Sequence, residues 1–109
     1  MEQFYNEITY FLDEFTPKYC GNAYCDNNYF CYHEKASDNP DIHIYVFRVP
    51  GASRGQVFVD KTTDKIIFAQ VYDLERIYCY TEPYDILTKK LEEKFIGTNW
   101  SDLHNVPRK

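Results

Sequence analysis

Between residues 42 and 73 three apolar stretches, IHIYVFRV, QVFVD and KIIFAQVYD, are separated only by PGASRG and KTTD. This run narrows the possible folds more than anything else in the chain. In IHIYVFRV, Ile42, Ile44 and Val46 fall on one face of a strand, and His43, Tyr45, Phe47 and Val49 on the other. Both faces are largely apolar, so the strand is expected at the centre of a sheet. QVFVD and KIIFAQVYD flank KTTD in the manner of a hairpin. With no Asn-Gly pair, a four-residue turn is expected in place of a two-residue one. Connections this short bring successive strands together antiparallel. The aromatic segment YFCYHEK, residues 29–35, supplies a further strand, preceded by a turn-prone stretch over 18–28 and followed by the turn ASDNPD. LERIYCY, residues 74–80, reads equally as a strand or an irregular crossing.

The ends of the chain carry helical periodicity. Phe4, Ile8, Phe11, Leu12 and Phe15 form one apolar stripe, and Pro17 is expected to end that helix. Thr81 is the expected N-cap of a second helix, with Glu82 and Pro83 in its first turn. Its stripe is Ile86, Leu87, Leu91 and Phe95, and Gly97 falls where a C-terminal cap belongs. Trp100 and Leu103 are expected to pack back, and HNVPRK to fray. The expected fold class is α+β: an N-terminal helix, an antiparallel sheet of three to five strands, and a C-terminal helix packed on one sheet face. At 109 residues this is one domain over 1–109. A chain of this size buries roughly 65% of its unfolded surface, so metal and disulfides are optional.

The net charge of −5 disfavours a nucleic-acid binder, which needs clustered Lys and Arg. Only Lys89, Lys90 and Lys94 form a local basic cluster, with Arg108 and Lys109 at the end. The acidic opening MEQFYNEITYFLDEF lacks the positive n-region of a secretory signal. No apolar run reaches the ~18 residues of a membrane span. A cytoplasmic protein with reduced cysteines is therefore expected. Residues with AT-rich codons are abundant, and Lys outnumbers Arg 8 to 4, which suggests an AT-rich bacterial, viral or plasmid genome.

Four constellations could carry chemistry. Cys20, Cys25, Cys31 and His33 supply the ligand count of a structural zinc site, although their spacing of four, five and one intervening residues departs from the usual pairs. The competing reading places Cys31 in the sheet and His33 at the surface. Cys31 or Cys79 could act as a nucleophile with His33, His43 or His104, but none stands in a nucleophile motif. Asp60 and Asp64 flank the hairpin turn and are expected to face water. PGASRG lacks the Lys-Ser/Thr ending of a phosphate loop.

The remaining signal is aromatic: 11 Tyr, 8 Phe and 1 Trp. If one sheet face receives both helices, the face bearing Tyr45, Phe47 and Val49 is either left for a partner or a second copy of the chain, or covered by the loops and Trp100. Tyr32, Tyr45 and Phe47 are the candidate partner-binding residues. The expected function is that of a small, acidic, non-enzymatic protein-binding module, a stoichiometric inhibitor of a partner protein. Phage anti-defence proteins of the anti-CRISPR kind belong to this class. The alternatives are an immunity protein against a toxin, or a zinc-stabilised small domain. No cofactor is expected outside the zinc alternative.

Overall fold

A computed structural model of the chain describes residues 3–15, 19–20, 23–24, 29–34, 39–49, 52–72 and 83–107. The elements run β1 (Gln3–Tyr5), α1 (Glu7–Glu14), β2 (Tyr19–Cys20), β3 (Ala23–Tyr24), β4 (Phe30–Glu34), β5 (Ile42–Val49), β6 (Ala52–Asp60), β7 (Ile66–Val71), α2 (Tyr84–Phe95), a 3₁₀ turn (Trp100–Asp102) and β8 (Val106–Pro107). The main sheet is antiparallel in the order β7-β6-β5-β4-β1-β8, and β2 and β3 pair separately. The architecture is α+β, as the sequence predicts. The sheet exceeds the expected strand count through its two short terminal strands.

The N-terminal helix is present as α1, but a short strand, β1, precedes it and takes Phe4, which corrects the reading of that residue alone. Phe4 pairs with Cys31 on one side and Pro107 on the other. The helix starts only after Asn6, whose extended backbone and side chain cap it. Asn6 Oδ1 accepts from the backbone N–H groups of Ile8 (3.0 Å) and Thr9 (3.3 Å), and the Thr9 hydroxyl accepts from the Asn6 N–H at 3.0 Å. This reciprocal box satisfies N–H groups that a helix start otherwise leaves orphaned. Asn6 is fully buried; its Nδ2 donates to Asn105 Oδ1 at 3.2 Å and the Cys31 thiol donates to its Oδ1 at 3.9 Å. One amide thus ties together α1, β4 and the segment before β8.

The IHIYVFRV segment is β5 over its whole length, and its position inside the sheet follows from its two apolar faces. The stretch Ala52–Gly55, expected as loop, extends β6 instead, with a register shift between Phe47 and Arg48 that absorbs the irregularity. Gly55 lies opposite Phe47, and a Cβ on Gly55 would collide with the Phe47 ring and the Gln70 carbonyl. The ring therefore lies over bare backbone, a place only glycine leaves open.

The β6–β7 turn has four residues, as expected. Asp60 Oδ1 accepts from the Thr62 N–H (2.8 Å) and hydroxyl (2.6 Å), and Asp64 takes the left-handed conformation at φ 62° that reverses the chain.

Both helices pack on one sheet face. Ile8, Phe11 and Leu12 of α1 and Leu87, Leu91 and Phe95 of α2 share a core with Cys31, Phe47, Val49, Val57, Val59, Ile66, Ala69 and Val71. Phe11 and Phe95 meet edge-on at 5.6 Å, joining the helices. Ile86, assigned to the α2 stripe from sequence, is 46% exposed. The inward stripe Leu87–Leu91–Phe95 steps by four residues, and Ile86 falls beside it. Pro83 occupies the N-cap position of α2 without a side-chain cap; the predicted cap Thr81 and the segment LERIYCY lie outside the described residues. Gly97 has φ 87°, the left-handed geometry expected just past a helix end. Lys90 and Lys94 lay their ammonium groups over the rings of Phe15 and Phe11, each at 5.2 Å, so two members of the basic cluster roof the core rim.

Candidate functional site

The register fixes which side chains share a face. Cys31 pairs with Phe47 and His33 with Tyr45, on the side that carries the helices. Tyr32 pairs with Val46 and Glu34 with Ile44, on the reverse side. The expected assignment of faces is thereby inverted. Phe47 is fully buried under the helices, and Val49 with it. Tyr45 is half-buried and stacks on Trp100 with ring centroids 4.0 Å apart. Tyr32 lies on the opposite face from both, 8% exposed, in a small cluster with Phe30, Val46 and Tyr5. None of the three candidate partner-binding residues stands open to solvent. Tyr45 and Phe47 are covered because α1 and α2 take the face with these bulkier β5 residues, which bury more apolar area there than Ile44 and Val46 would. Tyr32 is covered on the other face, beside Phe30, Val46 and Tyr5.

The reverse face carries an apolar row across three strands that opens to solvent at its β7 end. Ile44 pairs with Phe58, and Phe58 with Phe68. The Phe58 and Phe68 rings lie 4.9 Å apart. Phe68 is 37% exposed. A register shift after Phe58 leaves Ile67 as the extra residue of a bulge, 45% exposed. The next positions across and along are Glu34, Gln56, Asp60 and Gln70, with Ile42 and Val46 along β5, so the border is polar and acidic on β4, β6 and β7 and apolar along β5.

The sheet's edges offer less. At β7 the Thr88 hydroxyl accepts from the Val71 N–H (3.0 Å) and donates to its carbonyl (3.4 Å). Ile66 is likewise engaged by the Gly97 N–H and the Thr98 carbonyl. The other edge is the two-residue β8, ending on Pro107. Edges blunted in this way resist strand addition.

A second cluster sits at the helix-bearing face beside Tyr45. His43 Nδ1 and His33 Nε2 are 2.9 Å apart, with ring centroids at 4.8 Å, and both rings contact Tyr45 (5.9 and 5.1 Å). Burial, then the Lys61 ammonium and the neighbouring imidazole, push His43 below its ordinary pKa. Burial, with Asp64 nearby, raises the Tyr45 phenol and keeps it protonated. The sequence reading matched His33 with cysteines and missed His43 as its neighbour. That pairing depends on the β4–β5 register, which the connecting turn does not reveal.

Of the proposed zinc ligands, Cys31 is fully buried beside Asn6, and burial drives its thiol far above the ordinary value. His33 faces His43. Cys25 and the Cys20 side chain lie outside the described residues, as does Cys79. Among the described residues no three His, Cys, Asp or Glu gather as a metal site. As a nucleophile Cys31 is poorly placed, since its thiol stays protonated and out of reach of solvent. His104 is exposed and uses its backbone N–H on Glu7 Oε2 at 2.8 Å. Asp64 Oδ2 accepts from the Ser101 N–H at 2.9 Å and from the Ser101 hydroxyl, and the hydrogen bonds to Ser101 and Thr62 hold Asp64 and Asp60 below the usual carboxylate range. These are ionised clasps of a turn and not an acid–base pair.

No described helix is long and apolar enough to cross a membrane. No family model, curated protein or solved structure matches the chain, so its function is argued from its own residues.

Proposed function

We propose that the chain is a non-enzymatic protein-binding module that docks through the reverse face of its sheet. The observation that carries this reading is the apolar row Ile44–Phe58–Phe68 on the reverse face, half-buried at Ile44 and Phe58 and open to solvent at Phe68 and the adjoining Ile67, with Glu34 and Asp60 at its border. Apolar centres with polar rims are the anatomy of protein interfaces, and aromatic anchors supply most of their affinity. The occupant that fits is a protein surface with an apolar centre ringed by Lys and Arg, because the chain's net charge is −5 and its rim carries carboxylates. Long-range attraction then speeds encounter, and Phe58 and Phe68 hold the complex. Such a module acts by occupancy, as a stoichiometric antagonist of a basic effector. The AT-rich composition agrees with a mobile-element inhibitor of the anti-CRISPR kind.

The test compares capture by the native chain with capture by an Ile67→Lys/Phe68→Lys variant and by a Tyr84→Lys/Ile86→Lys control on the outer side of α2. A single stoichiometric species that the native chain and the control retain, and that the sheet variant loses, supports the reading. It should weaken with added salt. Equal capture by all three proteins would rule out this face.

A further inference from the structure

We propose that His33 and His43 form a two-imidazole site for a divalent transition cation that favours nitrogen ligands at right angles, copper(II) or nickel(II). The two nitrogens lie 2.9 Å apart. At a metal–nitrogen distance of about 2.05 Å this separation subtends about 90° at a shared cation. A tetrahedral zinc centre would need about 3.3 Å between the same atoms. A separation of 2.9 Å thus suits tetragonal geometry better than the zinc geometry considered for Cys20, Cys25, Cys31 and His33.

The donors are also held in place. They project from neighbouring antiparallel strands, β4 and β5, diagonal in register across one face, so the sheet and not a loop fixes their backbone positions. Both rings lean on Tyr45, which is itself stacked on Trp100. A ligand pair backed this way loses little freedom on binding. In the empty pair one nitrogen donates its proton to the other. On ligation each neutral ring keeps its N–H on the nitrogen turned away from the cation, and both lone pairs converge on the metal. With no third His, Cys, Asp or Glu gathered among the described residues, water or an incoming ligand completes the coordination. The Tyr45 ring serves as a wall.

The chain has three histidines, and His104 lies outside this pair, so the protein carries its own control. Nickel(II) chloride is titrated into chain labelled with ¹⁵N-histidine while the imidazole resonances are followed by NMR. The expected result is paramagnetic broadening of His33 and His43 before His104. Replacing either ring, His33→Gln or His43→Gln, removes chelation and weakens binding by about 100-fold. A Cys20→Ser/Cys25→Ser variant binds as the native chain does. Broadening of all three histidines together, absence of broadening at millimolar nickel, affinity that survives both glutamine substitutions, or loss of binding in the cysteine variant overturns the site. The titration of the native chain decides the matter even where a variant fails to fold.

Discussion

The two faces of the sheet use the same kinds of residue to opposite ends. On the helix-bearing face Phe47 has no exposure and lies over the backbone of Gly55; on the reverse face Phe68 has 37% of its surface in water and touches Phe58. Both are phenylalanines in antiparallel strands, and no sequence pattern tells them apart. The difference is made by α1 and α2, which close one face and leave part of the other. The helix-bearing face holds the larger buried core, the reverse face a smaller buried cluster of Phe30, Tyr32 and Val46, and Ile67 and Phe68 stay in water.

The sharpest way to break this contrast is to truncate both rings. Phe47→Ala should cost about 3–5 kcal/mol in urea unfolding, the usual range for a core aromatic. Gly55→Ala should cost about 3 kcal/mol, because the backbone carbonyl of Gln70 cannot move aside as a side chain could. Phe68→Ala should cost less than about 1 kcal/mol and act on partner capture instead. Similar losses at Phe47 and Phe68 would mean that the reverse face is structural as well.

A smaller effect is expected at Asn6, where the helix-bearing face meets the terminal strands. Asn6→Ala removes the cap and leaves buried N–H groups without acceptors, which should cost about 2 kcal/mol. Asn6→Asp keeps the acceptor but places a charge in a fully buried position, so it should not restore full stability.

The smallest effect is pH-dependent. Asp60 and Asp64 have folded-state pKa values below their unfolded ones. Their contribution is thus fully present above the unfolded value of about 3.9 and is lost as the pH falls through the folded values. His43 is also depressed when folded, so stability should decline mildly as the pH drops below about 6.5. Trp100, the single tryptophan, is stacked on Tyr45 and its backbone N–H donates to the Asp64 carbonyl, so its fluorescence reports these steps. Asp64→Asn should flatten the acidic step and leave the step near pH 6.5 in place.

The α+β class, β5 over its whole length, the four-residue turn and the Gly97 cap were all legible in the sequence, because each depends on local periodicity or local backbone chemistry. Phe4 was not. Its spacing to Ile8 suits a helix, and only pairing with Cys31 and Pro107, far along the chain, makes it a strand. Asn6 followed by Thr9 was the local signal that marks the true helix start. The candidate surface was misread for a related reason. Alternation says which side chains lie together, yet both faces of IHIYVFRV are apolar, so nothing local decides which one the helices take. The His33–His43 pair depends on register in the same way.

The place of β1 has a consequence for synthesis. Phe4 has Cys31 as one neighbour and Pro107 as the other, so its second flank waits for a residue made about 100 positions later. At ~5–20 residues per second that interval is about 5–20 s, far longer than a hairpin needs to close. During translation the β5–β6–β7 meander can form early, while the nascent amino-terminal strand stays half-paired and open to chaperones or to a neighbouring chain on the same polysome.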